Sequence, residues 1–126
     1  EYAREANESG ENIVAVLNAD MIAYTETPEG QEYVDIFEDI SSTWVTDLII
    51  NVSQEYPQSI NLNISRPGPS SRSDHYFFWE YGYNGVFFSE HEFNVPNYHS
   101  PSDTSINLIL TTPQGLPASW WHLLLN

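Results

Sequence analysis

Two short apolar runs set the terms on which this chain can fold. Residues 13–17 (Ile-Val-Ala-Val-Leu) and residues 85–88 (Gly-Val-Phe-Phe) are unbroken hydrophobic stretches. A strand with one wet face alternates polar and apolar side chains, so an unbroken run predicts a strand covered on both faces. Sheets of that kind carry helices on each side, which makes the expected fold class α/β, with a mainly buried mixed sheet flanked by helices. The first run leads directly into Asn18-Ala19-Asp20-Met21-Ile22, and the second into Ser89-Glu90. In layered α/β folds, ligand-binding side chains gather at the C-terminal ends of buried strands, and Asp20 stands at such an end.

The remaining elements follow from local patterning. Residues 1–9 suit a helix closed by Gly10. Residues 25–31, with Pro28 and Gly30, read as a turn-rich connection. Tyr33-Val34-Asp35-Ile36-Phe37 alternates as a strand with one wet face, and Ile60-Asn61-Leu62-Asn63-Ile64 does the same. Ser41-Ser42-Thr43 offers capping hydroxyls to a helix whose Trp44, Val45, Leu48, Ile49 and Val52 form one apolar face, ended by Pro57. Ser73 and Asp74 cap a shorter helix through Trp79 to Tyr81. No internal repeat and no linker divides the chain.

Composition excludes several partners. Three Arg and no Lys face 18 acidic residues, for a net charge of −15. Such a chain repels phosphate backbones, so nucleic acid is excluded as a partner. No apolar run approaches the roughly 18 residues that a membrane-spanning helix needs. Cysteine is absent, so disulfides say nothing of compartment. Asn-x-Ser sequons at Asn7, Asn51 and Asn63 are those of a glycoprotein and predict an extracellular or cell-surface location. The acidic stretch of Glu26, Glu29, Glu32, Glu38 and Asp39 matches no calcium-loop spacing and reads as a solvated face.

Four motifs in sequence carry a resemblance. Asp20-Met21 follows a buried strand, Ser73-Asp74-His75 opens a helix, Val86 to Glu90 forms a strand ending on glutamate, and Tyr98-His99-Ser100-Pro101-Ser102-Asp103-Thr104 forms a loop. In order and spacing this string resembles metallopeptidase family 28, the co-catalytic two-zinc aminopeptidases and carboxypeptidases. The resemblance implies a partial three-layer zinc-exopeptidase-like fold over residues 1–104, with the N-terminal half of the domain lying upstream of this chain. It makes Asp20 and His99 metal ligands, each to a different one of two zinc ions. It places Met21, Arg72 and Tyr98 near the peptide substrate, and gives Ser73, Asp74, His75 and Asp103 structural or supporting roles. His75 shapes the pocket without ligating, and Asp103 caps a helix that fixes the His99 loop.

The same resemblance implies three further ligands and a general base, none of them supplied by this chain. Zinc holds firmly with about four ligands, so the expectation is a part of a secreted zinc exopeptidase that binds metal weakly and is inactive alone. The alternative is a catalytically dead derivative kept as a structural or self-assembling extracellular module. Strands of the absent half are expected beside residues 13–17, which leaves a strand edge open to its missing half or to copies of the chain, as a homo-oligomer or filament. Residues 105–126, with Trp120-Trp121-His122-Leu123-Leu124-Leu125, depart from the family pattern and form a divergent apolar tail.

Overall fold

The computed structural model describes residues 1–103 except 23, 61, 94 and 96. Among the described residues nine elements follow one another: α1 (Tyr2–Ser9), β1 (Val16–Ala19), α2 (Pro28–Glu32), β2 (Tyr33–Glu38), a 3₁₀ turn (Ile40–Ser42), α3 (Thr43–Glu55), β3 (Asn63–Ser65), α4 (His75–Glu80) and β4 (Gly85–Glu90). The strands form one mixed sheet in the order β1-β4-β2-β3. β1 runs parallel to β4, β2 antiparallel to β4, and β3 parallel to β2. The α/β expectation holds, as a sheet flanked by helices.

Register assigns the faces. Ile36 lies opposite Phe88, and Glu38 opposite Val86, on one side of the sheet. There Ile36 and Val86 pack with Val45 of α3 to form the core, with Ala15, Ile49, Ile64 and Phe88 around them. The other side carries Phe37 stacked on Phe87 at 5.1 Å, and Phe87 against the His75 ring at 5.0 Å. Helix α4 therefore covers this second face, and α1 packs on α4 with Ala3 and Ala6 buried. At the end of α1, Gly10 adopts the left-handed conformation (φ 71°) that a residue with a Cβ adopts only at a cost. The Glu11 amide then donates to the Ala6 carbonyl at 2.9 Å, closing the helix.

Several local expectations are corrected by tertiary contacts. The strand expected at residues 13–17 instead pairs at Val16–Ala19, starting three residues later, and the run is not covered on both faces: Val14 and Leu17 are 66% and 60% exposed. Leu17 lies opposite Val86 and so on the α3 side of the sheet, but β1 is the outer strand of the described sheet and no described element covers Leu17 there. The alternating run at residues 60–64 becomes the shorter Asn63–Ser65 strand. The turn-rich connection contains one helical turn, because Thr27 caps it by accepting the Gly30 N–H and Pro28 sits where no amide hydrogen is needed. The apolar face read for α3 splits in two. Val45 and Ile49 meet the core, whereas Trp44, Leu48 and Val52 are exposed.

The capping hydroxyls of α3 are also used differently. Asp39, not a serine side chain, closes the 3₁₀ turn by accepting the Ser42 amide at 2.9 Å and the Ser41 hydroxyl at 2.7 Å. The Ser42 hydroxyl is fully buried and accepts the Gly85 N–H at 2.9 Å, tying the start of α3 to the first residue of the central strand β4. Glu38, expected on a solvated face, is buried and held by Arg66 Nε at 2.7 Å, with Asp47 completing the ion-pair group at 2.7 Å. Buried charge survives in a fold only when paired in this way.

Candidate active-site rim

Because β1 and β4 are parallel, their C-terminal ends open on the same edge of the sheet. The ladder continues beyond β1: Asp20 N–H donates to the Phe88 carbonyl at 3.1 Å, and Glu90 N–H to the Met21 carbonyl at 2.7 Å. Helix α4 precedes β4 and runs back along the sheet, so its start reaches the same edge. That is why Ser73 meets Asp20. Its hydroxyl donates to Asp20 Oδ2 at 2.8 Å and accepts from Asn18 Nδ2 at 2.7 Å. Asp20 is otherwise exposed, and its second oxygen has no hydrogen bond among the described residues.

Beside Ser73 begins a run of stacked groups. Arg72, next to Ser73, lies over the Phe93 ring at 5.7 Å. Phe93 meets Tyr98 edge-on at 5.6 Å, and Tyr98 stacks on the His99 imidazole at 3.9 Å. Arg72, Tyr98 and His99 are all exposed, and His99 makes no hydrogen bond among the described residues. Arg72 makes no salt bridge to any described acid, unlike Arg4 and Arg66. The guanidinium is held by an aromatic face instead, a weaker contact that leaves its hydrogen-bond donors available.

Backbone conformation marks the same rim. The non-glycine residues with positive φ among those described are Met21 (56°), Asn97 (65°) and His99 (56°). Each costs conformational energy, and such residues cluster where a site over-determines the chain path. One follows Asp20 directly, and another is His99 itself.

The other residues singled out by sequence fall into place around this rim. His75 is fully buried and not at the rim. Its Nε2–H donates to the Ser70 carbonyl at 2.8 Å, and its ring meets Trp79 edge-on at 4.4 Å. Burial pushes its pKa below the ordinary histidine range, with the Ser70 contact opposing this, so the ring is neutral and structural. Asp74 stands at the start of α4, but its side chain makes no capping bond. Asp103 donates its amide to Ser100 at 3.0 Å, and the helix it is expected to cap lies outside the described residues. Asn7, Asn51 and Asn63 are all exposed. His91 pairs with Asp35 at 2.7 Å on the α4 side of the sheet. His122 and the rest of residues 105–126 lie outside the described residues.

Sequence reasoning missed Asn18, Phe93 and Glu92. The Glu92 carboxylate accepts four hydrogen bonds: from Thr27 Oγ1 at 2.5 Å, Thr25 Oγ1 at 2.9 Å, Glu26 N at 3.0 Å and Thr27 N at 3.1 Å. These bonds, the Thr27 hydroxyl foremost, pull its pKa down to about 2 against the effect of burial. Thr-x-Thr facing a glutamate 65 residues on has no local signature that a sequence could display.

Among the described residues, no three His, Asp or Glu side chains converge to hold a metal ion. The donors that do reach the rim are nonetheless of the kinds that zinc takes, a carboxylate oxygen oriented by a hydroxyl and an unengaged imidazole. This edge of the α/β sheet thus presents a carboxylate at the end of a parallel strand pair, and beside its serine partner a run of stacked groups that ends on an imidazole. The chain matches Peptidase family M28 over residues 1–123, and it belongs to that family. No curated protein matches it.

Proposed function

We propose that this chain supplies one side of a two-zinc exopeptidase centre. Asp20 ligates one zinc ion and His99 the other. Met21, Arg72 and Tyr98 lie beside the peptide to be trimmed. The observation that supports this most is the Asn18–Ser73–Asp20 hydrogen-bond chain, which orients a carboxylate at the end of β1, directly before the positive-φ Met21. Bound zinc would lower the pKa of a water and polarise the scissile carbonyl. This chain's own residues hold and orient: Ser73 fixes one oxygen of Asp20, and Tyr98 fixes the plane of the His99 ring.

Two donors on different ions make no firm site, so the chain alone takes zinc weakly and hydrolyses no peptide. The outer edge of β1, with Val14 and Leu17 exposed beside it, accepts a further strand of the domain. The exposed sequons support secretion or display at the cell surface. Calorimetric zinc titration of the chain and of Asp20→Asn and His99→Gln variants tests the assignment. Weak uptake that each substitution reduces supports it. Tight uptake unaffected by both sinks it.

A further inference from the structure

The two arms that carry Asp20 and His99 are not joined by sheet alone. Beyond the ladder, the Tyr24 N–H donates to Glu90 Oε2 at 3.0 Å, and the next three residues close around Glu92. We propose that Glu92 is a positioning residue: its carboxylate, seated in the 25–27 turn, fixes the arm carrying His99 against the arm carrying Asp20. The inference rests on the two-zinc reading for what the arms hold, and on geometry alone for how they are held.

Three observations converge on it. The residue after Glu92 is Phe93, the ring on which both Arg72 and Tyr98 rest. Fixing Glu92 therefore fixes the base of the stacked run that ends at His99. The turn that receives Glu92 begins five residues after Asp20, so the latch lies close to both ligands in sequence while touching neither. Finally, the turn is built around the carboxylate. A Cβ on Gly30 would come within 2.2 Å of Thr25 Oγ1 and 2.5 Å of Glu92 Oε2, so only glycine admits the glutamate here. The same bonds hold the Glu92 pKa down at about 2, and an ionised acceptor makes the stronger bonds.

The chain has no cysteine, so introduced pairs can be spin-labelled without a background. Cysteines replacing Ile22 and Asp103 report the separation of the two arms. A narrow distance distribution is expected in the parent. Glu92→Gln should broaden it, Thr27→Val should do the same, and Thr27→Ser should keep it narrow, while far-UV dichroism stays that of the folded parent. An unchanged distribution in Glu92→Gln overturns the proposal. So does global unfolding of both Glu92→Gln and Thr27→Val, which would make the contact a staple of the whole fold. Zinc provides the separate arm of the test. His99 imidazole resonances followed during a zinc titration should show affinity weakened about 10-fold by Glu92→Gln, the size typical of losing a group that orients a ligand. If His99 in the parent ignores zinc, the peptidase reading fails while the distance measurement still decides the latch.

Discussion

β4 and β1 look alike in sequence and live in different surroundings. Residues 85–88 sit in a strand paired on both sides, and apart from the half-buried Phe88 every residue of Gly85–Glu90 is buried. Of residues 13–17 only Val16 and Leu17 lie in a strand, paired on one side only in the described sheet, with Leu17 60% exposed. An unbroken apolar run thus specifies a strand that has, or expects, cover on both faces; it does not say whether the described chain supplies that cover. The contrast makes β4 the centre of the described sheet and β1 its outer strand.

Substitution should expose the contrast most sharply in the hydrophobic side chains. Ile36→Ala, which empties the core beside Val86 and Val45, should cost about 3 kcal/mol. Leu17→Ala should cost within about 0.5 kcal/mol, the range of exposed sites. Urea unfolding of both variants measures the difference, and equal losses would mean that the Leu17 face is covered in solution. Smaller, but on the same central strand, Ser42→Ala should cost about 1–2 kcal/mol because it strands the buried Gly85 N–H. Ser41→Ala, which removes an exposed partner of Asp39, is the matched control and should be nearly silent.

The smallest expected effect is one of pH. His75 has a folded pKa lowered from 6.5 by burial against β4, so the unfolded chain takes up the proton first as pH falls. Its contribution is fully present above pH 6.5 and is lost between that value and its lower folded pKa. His75→Phe should flatten this part of the stability profile. An unchanged slope would show that the ring titrates freely. Glu92 acts at the far acid end: its bonds are at full strength above the ordinary glutamate pKa and fade only as pH approaches about 2.

What sequence conveyed, and what it withheld, follows from range. α1 with its glycine stop and the strands at Tyr33 and Gly85 are set by residues within a few positions, and they were legible. The start of β1 was off by three residues because pairing with Gly85 to Phe88, not local hydrophobicity, fixes where it starts. The capping role passed from Ser42 to Asp39 because the Ser42 hydroxyl has a partner 43 residues away. Glu38 lost its place on the surface to Arg66, again across a long separation. At the rim, the family resemblance pointed to Asp20, Ser73, Arg72, Tyr98 and His99, and the fold brings Ser73 to Asp20 and links Arg72 through Phe93 to Tyr98 and His99. Glu92 and Asn18 matter through contacts that no motif records.

The account depends on Asp20 and His99 being donors to two neighbouring metal ions on one sheet edge. Anomalous diffraction at the zinc edge, from crystals of the chain soaked in zinc, tests this directly. The account predicts separate peaks on the Asp20 carboxylate and the His99 imidazole, both on the rim beyond β1 and β4. Peaks at the His91–Asp35 pair instead, with none at Asp20 or His99, would contradict it.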